Sequence, residues 1–368
     1  MLQQTPMTIK VPGKLMVAGE FAVLQPNNHL VVMAVDRYVY ATIQPTETNE
    51  ISLLDFQLEQ LEWEFTNDRV KIDCDDIRTS FVEEAMTIAI KYLKEQRIAI
   101  KPFQLTIKSE LDDTSGVKYG LGSSAAVVTS VITAILHQSL PYRPSARLIF
   151  QLAAISHVVT QGNGSGADVA ASSHGGFLNY SSFQADWLRH AYQNALSLTD
   201  VVNQNWKYLS LERVQLPENI HMCIGWTGKP ASTARLVDEI LKLKTDNLSH
   251  FNQFLLESEQ AVTKILNGMK ENDASLFLNG ITENRHALAK VGRYANVDIE
   301  TSLLSKLCDL AEAYGGAGKP SGAGGGDCGI AFMPSKQQAD QLIKAWEEVG
   351  IKPLSLKANP FGARKVEV

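Results

Sequence analysis

The feature that most constrains the fold of this 368-residue chain is a run of glycines in its last sixth. Residues 315–329 read GGAGKPSGAGGGDCG, which is eight glycines in fifteen residues, whereas 25 glycines in 368 residues would place about one there. The run lies between a predicted helix, Ile299–Tyr314, and a predicted strand, Cys328–Met333. A flexible linker is the alternative, but linkers seldom separate two elements of one domain. We therefore predict a tight backbone that approaches a ligand closely, which only glycine allows.

A second glycine-containing segment predicts an anion site. Residues 117–130 read VKYGLGSSAAVVTS, with a turn at Gly120 and Gly122 followed by a strong helix-forming sequence. This arrangement aims free backbone N–H groups and the positive end of a helix dipole at one point. The segment is neither a Walker A loop nor a complete GxGxxG motif. Taken alone, Ser123 is equally well interpreted as a simple helix N-cap.

Two further segments carry candidate charged groups. Residues 11–24 read VPGKLMVAGEFAVL and place Lys14 after a Pro-Gly turn, so that its ammonium is expected at the edge of an element. Most lysines are solvated surface charges, and on this segment alone that interpretation is preferred. Residues 161–173 read QGNGSGADVAASS and place Asp168 at the start of a small-residue helix. An Asp in this position is more often a helix-terminal partner than a catalytic carboxylate.

The pattern of apolar residues predicts a mixed α and β chain. Periodicity indicates strands at 29–43, 103–108, 222–226 and 328–333, and helices at 81–97, 123–138, 144–161, 233–244, 249–269, 273–290 and 299–314. The later half is richer in helices, which suggests two domains. We expect the boundary between residues 185 and 215 and set it at 200, giving domains 1–200 and 201–368.

Composition and charge exclude several classes of protein. With 34 basic and 40 acidic side chains the net charge is −6, which disfavours sequence-independent binding to nucleic acid. The four cysteines have neither disulfide-framework nor zinc-ligand spacing. The N-terminus lacks the apolar core of a signal peptide, and no apolar run reaches the roughly 20 residues that span a bilayer. We expect a cytoplasmic protein with no membrane partner, and the sequence leaves its oligomeric state open.

Together and in this order, the segments resemble the three motifs of the GHMP kinase superfamily. The matching stretches are PGKLMVAGEFAVL at 12–24, GLGSSAAV at 120–127 and SGAGGGDCGIAF at 321–332, which span almost the whole chain. Within the superfamily, KYGLGSS, GNGSGAD, IGWTG and SGAGGGDCGIA are most similar to the bacterial type of phosphomevalonate kinase.

The resemblance implies an α+β two-domain GHMP kinase fold with the active site between the domains. The N-terminal domain would be ribosomal-protein-S5-like and bind ATP, and the C-terminal domain would be ferredoxin-like. The implied reaction uses ATP and Mg²⁺ to convert 5-phosphomevalonate into 5-diphosphomevalonate and ADP, in the mevalonate pathway of isoprenoid synthesis. Both substrates are polyanions, so the site must offset phosphate charge and align donor with acceptor.

The resemblance also implies roles for individual residues. Lys14, Lys118 and Asp168 would be catalytic, and Ser124 would hold the nucleotide-bound Mg²⁺. Because the acceptor phosphate is already largely ionised near neutral pH, we expect Asp168 to orient Lys14 and the substrate hydroxyl rather than act as a base. Acceptor binding would involve Lys14, Ser165, Ser232 and Ala323, although Ser232 is equally well interpreted as a helix cap. The implied ATP-binding residues are Lys118, Tyr119, Gly120, Leu121, Gly122, Ser123, Ser124 and Ala125.

Two departures separate the chain from mevalonate kinases. Phe21 follows Glu20 where those enzymes usually have His, and His157 stands where they have a magnesium-binding Glu. We interpret His157 as a core histidine, leave the carboxylate ligand of the metal unassigned, and expect Asp327 to fix its loop rather than perform chemistry. Mevalonate kinase or another GHMP kinase is the closest alternative function. A non-catalytic metabolite sensor of the same fold is the alternative from another class.

Overall fold

The computed structural model describes residues 5–112, 117–231 and 233–367, which form two sheets with helices packed on them. The first sheet has nine strands in the order β13-β1-β2-β6-β3-β4-β5, with β7 paired to β2 and β8 paired to β7. Its strands are β1 (Met7–Ala18), β2 (His29–Pro45), β3 (Glu50–Leu53), β4 (Leu58–Thr66), β5 (Arg69–Ile72), β6 (Phe103–Ser109), β7 (Phe177–Ser181), β8 (Ser210–Val214) and β13 (Arg364–Lys365).

Six helices follow or connect these strands. They are α1 (Ser80–Glu95), α2 (Ser123–Ser139), α3 (Ala146–Gln161), α4 (Ala167–His174), α5 (Ala185–Asn194) and α6 (Leu198–Asn203). Helix α2 is apolar around most of its circumference because it packs between β1, β2 and the helices α1 and α3. Helix α3 begins after Ser145, whose hydroxyl accepts the Leu148 N–H at 3.1 Å. The predicted start at Pro144 is therefore wrong by two residues, because the capping serine ends the preceding loop.

The second sheet is a four-stranded antiparallel layer. Its strands β9 (His221–Trp226), β10 (Ala317–Pro320), β11 (Cys328–Met333) and β12 (Lys352–Pro353) lie in the order β10-β11-β9-β12. Between them come α7 (Thr233–Asp246), α8 (Leu248–Glu271), α9 (Ala274–Ala295), α10 (Ser302–Ala313) and α11 (Lys336–Glu348). If α7–α10 are taken as one helical crossover, this is the βαββαβ arrangement of ferredoxin-like domains, as the resemblance implied.

The two sheets share a continuous core, and the chain joins them twice. The largest apolar cluster runs from the first sheet to Ile224, Ile330 and Phe332 of the second. After β12 the chain returns to the first sheet, where the Asn359 N–H donates to Ala34 O at 2.8 Å and β13 pairs with β1. The predicted domain boundary at residue 200 stays a prediction; β8 and β13, which both follow it, pair within the first sheet.

None of the helices among the described residues combines the length and the apolar composition needed to cross a membrane.

Candidate active site

Lys14 lies inside β1 rather than at the edge of an element. Strand β1 continues through Pro12 and Gly13 with a register shift, and Lys14 pairs with Ala34 of β2. The expectation of a Pro-Gly turn is therefore wrong, since the two residues form a bulge that redirects the strand. Lys14 donates twice to the loop before α2: its backbone N–H to Leu121 O at 2.8 Å and its Nζ to Gly120 O at 3.0 Å.

The loop before α2 has the geometry of an anion site. Gly120 and Gly122 adopt φ values of +80° and +76°, and Gly122 is the N-cap of α2 without any side-chain capping bond. Ser123 is the first helical residue, so the interpretation of Ser123 as the N-cap is wrong. The first N–H groups of α2 consequently face outward with the positive end of the helix dipole. A Cβ on Gly122 would lie 2.9 Å from Lys14 Cγ, so no other residue type allows this approach.

The side chains of Tyr119 and Leu121 anchor this loop to the apolar core. Both are buried, and the Tyr119 ring packs edge-on against Trp226 at a centroid distance of 4.9 Å. The Arg37 guanidinium lies 4.7 Å from the centre of the Tyr119 ring. Lys118 precedes the loop, pairs with Asp112 in an isolated bridge and has an exposed side chain. The side chains of Tyr119 and Leu121 are thus committed to packing, whereas Lys118 presents its charge to solvent.

Ser124 has a partner that the sequence did not indicate. Its Oγ lies 3.2 Å from Nε2 of His157, which is 3% exposed on α3 and packs against Phe81 at 5.6 Å between ring centres. His157 is therefore a core histidine, as expected, but its polar atom points at the predicted metal ligand. The resemblance placed His157 where mevalonate kinases have a magnesium-binding Glu, but it did not indicate a contact with Ser124.

The described residues fit Mg²⁺ only through the nucleotide. No group of three or more His, Cys, Asp or Glu side chains among them could hold a metal by itself. Mg²⁺ bound to ATP takes most of its oxygens from phosphates and water, and needs only one or two from protein. A half-exposed serine hydroxyl in the first turn of a helix, such as that of Ser124 in α2, would satisfy this requirement. Ser124, oriented by His157, would hold the ion.

Asp168 and Ser165 lie at the start of α4. Gly166 is the N-cap with φ +75°, the Ser165 hydroxyl accepts the Ala167 N–H at 3.3 Å, and Asp168 Oδ1 accepts the N–H of Val169 at 2.9 Å. No ion pair to Asp168 is formed by any residue that the structure describes, so the expected contact with Lys14 is absent from this state.

Helix α4 is nevertheless fixed against both Lys14's strand and the core. The Ser172 hydroxyl donates to Pro12 O at 2.9 Å, two residues before Lys14. At the other end, the Tyr180 hydroxyl donates to Ser165 O at 2.6 Å. Burial, and next the charge of Asp168, raise the pKa of Tyr180 well above its ordinary value, so this phenol stays a neutral donor.

Residues 321–327 of the glycine run form the loop between β10 and β11. The four glycines of this loop, at 322, 324, 325 and 326, all have positive φ, and a Cβ on Gly324 would lie 2.2 Å from Ile299 O. The loop is tied to the first sheet by the Ser321 hydroxyl, which donates to Met16 O at 2.9 Å, and by the Cys328 thiol, which donates to Tyr119 O at 3.1 Å. The methyl of Ala323 packs on the apolar cluster that α7–α9 form.

A buried ion pair joins the first and third motifs. Lys319 Nζ lies 2.5 Å from Glu20 Oε1, and the two side chains are 0% and 4% exposed. The same carboxylate oxygen accepts the N–H of Gly322 at 3.2 Å. Phe21 follows with an unusual φ of +61° and inserts into the cluster of α7–α9. Sequence reasoning missed this pair because neither residue has a charged neighbour that would have marked it.

The structure therefore brings the three motifs to one place between the sheets. Lys14, the loop 118–124 and the glycine run touch one another, while Asp168 and Ser165 reach Lys14's strand through α4. Ser232 lies outside the described residues. Asp327, expected only to fix its loop, also packs on Gly120 of the loop before α2.

Comparison with known proteins agrees with this arrangement. Residues 81–176 match the family model of the GHMP kinases N terminal domain, and residues 247–352 match that of the GHMP kinases C terminal domain. A phosphomevalonate kinase from Streptomyces sp. (strain CL190) is 31% identical over 363 residues, which cover 94% of this chain and 95% of that protein.

Two solved structures extend the similarity to three dimensions. The Lin0012 protein from Listeria innocua is 37% identical with a TM-score of 0.93, covering 99% of this chain and 100% of that one. The Streptococcus pneumoniae phosphomevalonate kinase in complex with phosphomevalonate and AMPPNP is 25% identical with a TM-score of 0.84, covering 95% and 99%. The two-domain α+β fold expected from the motifs is confirmed, and the chain belongs to the GHMP kinase family.

Proposed function

We propose that this chain is a phosphomevalonate kinase, which transfers the γ-phosphoryl group of ATP to (R)-5-phosphomevalonate. The products are ADP and (R)-5-diphosphomevalonate. The observation that carries the proposal is the similarity to a phosphomevalonate kinase over nearly the full length of both chains. The solved S. pneumoniae enzyme, bound to phosphomevalonate and a nucleotide, supports the same pair of substrates.

The nucleotide site would be the loop and first turn of α2. Its outward N–H groups offer hydrogen bonds to phosphate oxygens without moving any side chain. The hydroxyl of Ser123 lies in the same turn and would extend this set of donors. Ser124 would help to hold nucleotide-bound Mg²⁺, which would neutralise phosphate charge.

Lys14 and Lys118 would supply the remaining positive charge. In the transfer, an oxygen of the acceptor phosphate forms a bond to the γ-phosphorus while the bond to the β,γ-bridging oxygen breaks, and ADP leaves with the electron pair. Charge therefore builds on the transferring group between two polyanions. The ammonium of Lys14 is already held at the nucleotide loop by Gly120 O, so little reorganisation is needed for it to reach phosphate.

Asp168 would position the acceptor rather than remove a proton. The second pKa of a phosphate monoester is about 6, so the nucleophilic oxygen is ionised at neutral pH without a base. In the described residues Asp168 has no cationic partner, which leaves its carboxylate available to the hydroxyl of the acceptor. We expect Lys14→Ala to lower kcat at saturating substrate by about 10²–10³-fold. Asp168→Asn should cost less, and a larger loss with a missing acid limb in the pH profile would favour the base role instead.

An acceptor comparison tests the proposal. Purified protein is given Mg²⁺ and ATP with either mevalonate or (R)-5-phosphomevalonate, and ADP release is followed by a coupled assay. We expect turnover with phosphomevalonate only. Turnover with mevalonate alone would make the chain a mevalonate kinase, and no turnover with any acceptor would favour a metabolite sensor.

A matched lysine controls for the loss of charge in general. Lys10 lies in the same strand four residues earlier, with its Nζ 4.9 Å from the centre of the Tyr38 ring and away from the nucleotide loop. Lys10→Ala should leave kcat within about twofold, since it removes one positive charge at a distance where salt screens it. The expected cytoplasmic location and the expected lack of nucleic-acid and membrane partners stay predictions.

A further inference from the structure

Asp327 follows the three consecutive glycines of the run, and its backbone conformation does not depend on its carboxylate. Its φ is +51°, in the left-handed region that Gly, Asn and Asp tolerate best. Its backbone N–H donates to Lys229 O at 2.7 Å, and its carbonyl accepts both the N–H and the hydroxyl of Thr227 at 3.0 Å. A Gly would satisfy the backbone equally well, so the local fold leaves the side chain of Asp327 unexplained.

The carboxylate faces two different loops at once. Its Oδ1 accepts the N–H of Ala231 at 3.2 Å, at the end of segment 227–231, which directly precedes Ser232, a residue that the resemblance assigns to acceptor binding. Its Cγ and Oδ2 lie 2.7 Å from the place where a Cβ on Gly120 would stand, so that it packs directly on the nucleotide loop. The next residue, Cys328, adds a thiol hydrogen bond to Tyr119 O. The side chain of Asp327 therefore lies between the loop before α2 and segment 227–231 and contacts both.

Burial destabilises the charged form of the Asp327 carboxyl, and neighbouring groups partly offset that effect. Burial raises the pKa of Asp327, whereas the Ala231 N–H and the charges of Lys14 and Lys118 oppose that rise. A negative charge beside a phosphate loop also repels the ligand that the loop binds. A glycine would avoid both costs, so a role for this side chain is to be found in the connection it makes between the loops.

We propose that Asp327 is a positioning residue that couples the nucleotide loop to segment 227–231, so that nucleotide and phosphorylated acceptor each strengthen the binding of the other. The inference rests on the proposed function, because it takes 5-phosphomevalonate as the acceptor. When Gly120 moves towards bound nucleotide phosphates, the Asp327 carboxylate that packs on Gly120 moves with it. Because Asp327 Oδ1 accepts the N–H of Ala231, Ala231 and the acceptor side move as well. The reciprocal effect is required by linkage.

Calorimetry of a non-hydrolysable ATP analogue measures this coupling directly. The affinity for Mg²⁺·AMPPNP is determined with and without saturating (R)-5-phosphomevalonate, and the ratio of the two dissociation constants is the coupling factor. For the unaltered enzyme we expect a factor of at least about 5, within the usual range of coupled sites. Asp327→Ala should bring the factor to between about 1 and 2, while Asp327→Asn, which keeps the acceptor for Ala231, should preserve it within about twofold.

Two further variants keep the test decisive. Ala231→Pro deletes the N–H donor from the other side of the bond and should lose the coupling as Asp327→Ala does. Ala231 follows Pro230 and lies outside α7, which begins at Thr233, so the substitution removes no hydrogen bond of the helix. Asp340→Ala, in an exposed part of α11, is the matched control and should leave the factor unchanged.

The possible outcomes separate this inference from the proposed function. If the unaltered enzyme fails to bind 5-phosphomevalonate, the proposed function fails and the inference with it. If it binds both ligands without coupling, or if Asp327→Ala and Ala231→Pro keep the coupling of the unaltered enzyme, the inference alone is overturned. A purely structural role of Asp327 would lower thermal stability in Asp327→Ala and leave the coupling factor as it was.

Discussion

The buried pair between Lys319 and Glu20 supplies a sharp test of how the two sheets are held together. Lys319→Met keeps most of the volume of the lysine stem and removes the charge, which leaves Glu20 buried with only the Gly322 N–H as a partner. Removing one member of a buried ion pair typically costs about 3–5 kcal/mol, because the remaining charge is uncompensated. For a chain of this size, an unfolding entropy of about 2.1 cal/mol/K per residue gives roughly 1.3 °C of Tm per kcal/mol, which converts that cost into a fall of about 4–6 °C.

Thermal unfolding of three variants measures the effect and its cause. Lys264→Met is the matched control, since Lys264 pairs with Glu283 at the same 2.5 Å but both side chains are more than 40% exposed. An exposed pair contributes at most about 1 kcal/mol, so this variant should lose no more than about 2 °C. The double variant Glu20→Gln with Lys319→Met removes both charges and should regain at least half of the loss, because no buried charge is left unpaired.

Two results would refute the reasoning. One is a Tm for Lys319→Met within 2 °C of that for Lys264→Met, which would mean that burial adds nothing to the pair. The other is a double variant no more stable than Lys319→Met, which would mean that lost packing of the lysine stem, and not the orphaned carboxylate, causes the effect.

Three further predictions concern pH, backbone geometry and the metal. Burial lowers the pKa of His174 to about 4, so the folded state resists protonation and stability should fall, by up to about 3 kcal/mol, as the pH drops from 6.5 to 4. His174→Asn should flatten that part of a Tm–pH curve, and an unchanged slope would contradict the assignment. Gly120→Ala adds a methyl in contact with a carboxylate at φ +80°, whereas Gly350→Ala has a similar φ of +82° and open space. In calorimetry we expect Gly120→Ala to lose at least tenfold in nucleotide affinity and Gly350→Ala to lose none. Equal affinities of the two variants would show that contact between the added methyl and Asp327 has no effect. His157→Leu deletes the partner of the Ser124 hydroxyl and should raise the Mg²⁺ concentration needed for half-maximal nucleotide binding by about tenfold. No change in that concentration would count against Ser124 as the metal ligand.

Elements with strong local signals were predictable from the sequence. Helix α2 was expected at 123–138 and is observed at Ser123–Ser139, because its apolar residues and the glycines before it are all local information. Strand β11 was expected at its observed bounds, 328–333, for the same reason. The motifs located the nucleotide loop and the glycine run, since each carries its chemistry in a short contiguous stretch.

Contacts between distant residues were not predictable. Glu20 and Lys319 are 299 positions apart, and each alone is an unremarkable charged residue in an apolar segment. His157 reaches Ser124 only because α3 packs beside α2, a geometry that periodicity does not encode. The bulge at Pro12 and Gly13 was mistaken for a turn because Pro-Gly favours both, and only pairing with β2 distinguishes them.

The most direct test of the central claim is the ³¹P NMR spectrum of the reaction product. The protein is incubated with Mg²⁺, ATP and (R)-5-phosphomevalonate until the acceptor is consumed. We expect the single resonance of the phosphate monoester to be replaced by two mutually coupled resonances of a diphosphate, with one ADP formed per acceptor. A spectrum in which the monoester resonance persists while mevalonate, offered in its place, gains a monoester resonance would contradict the account.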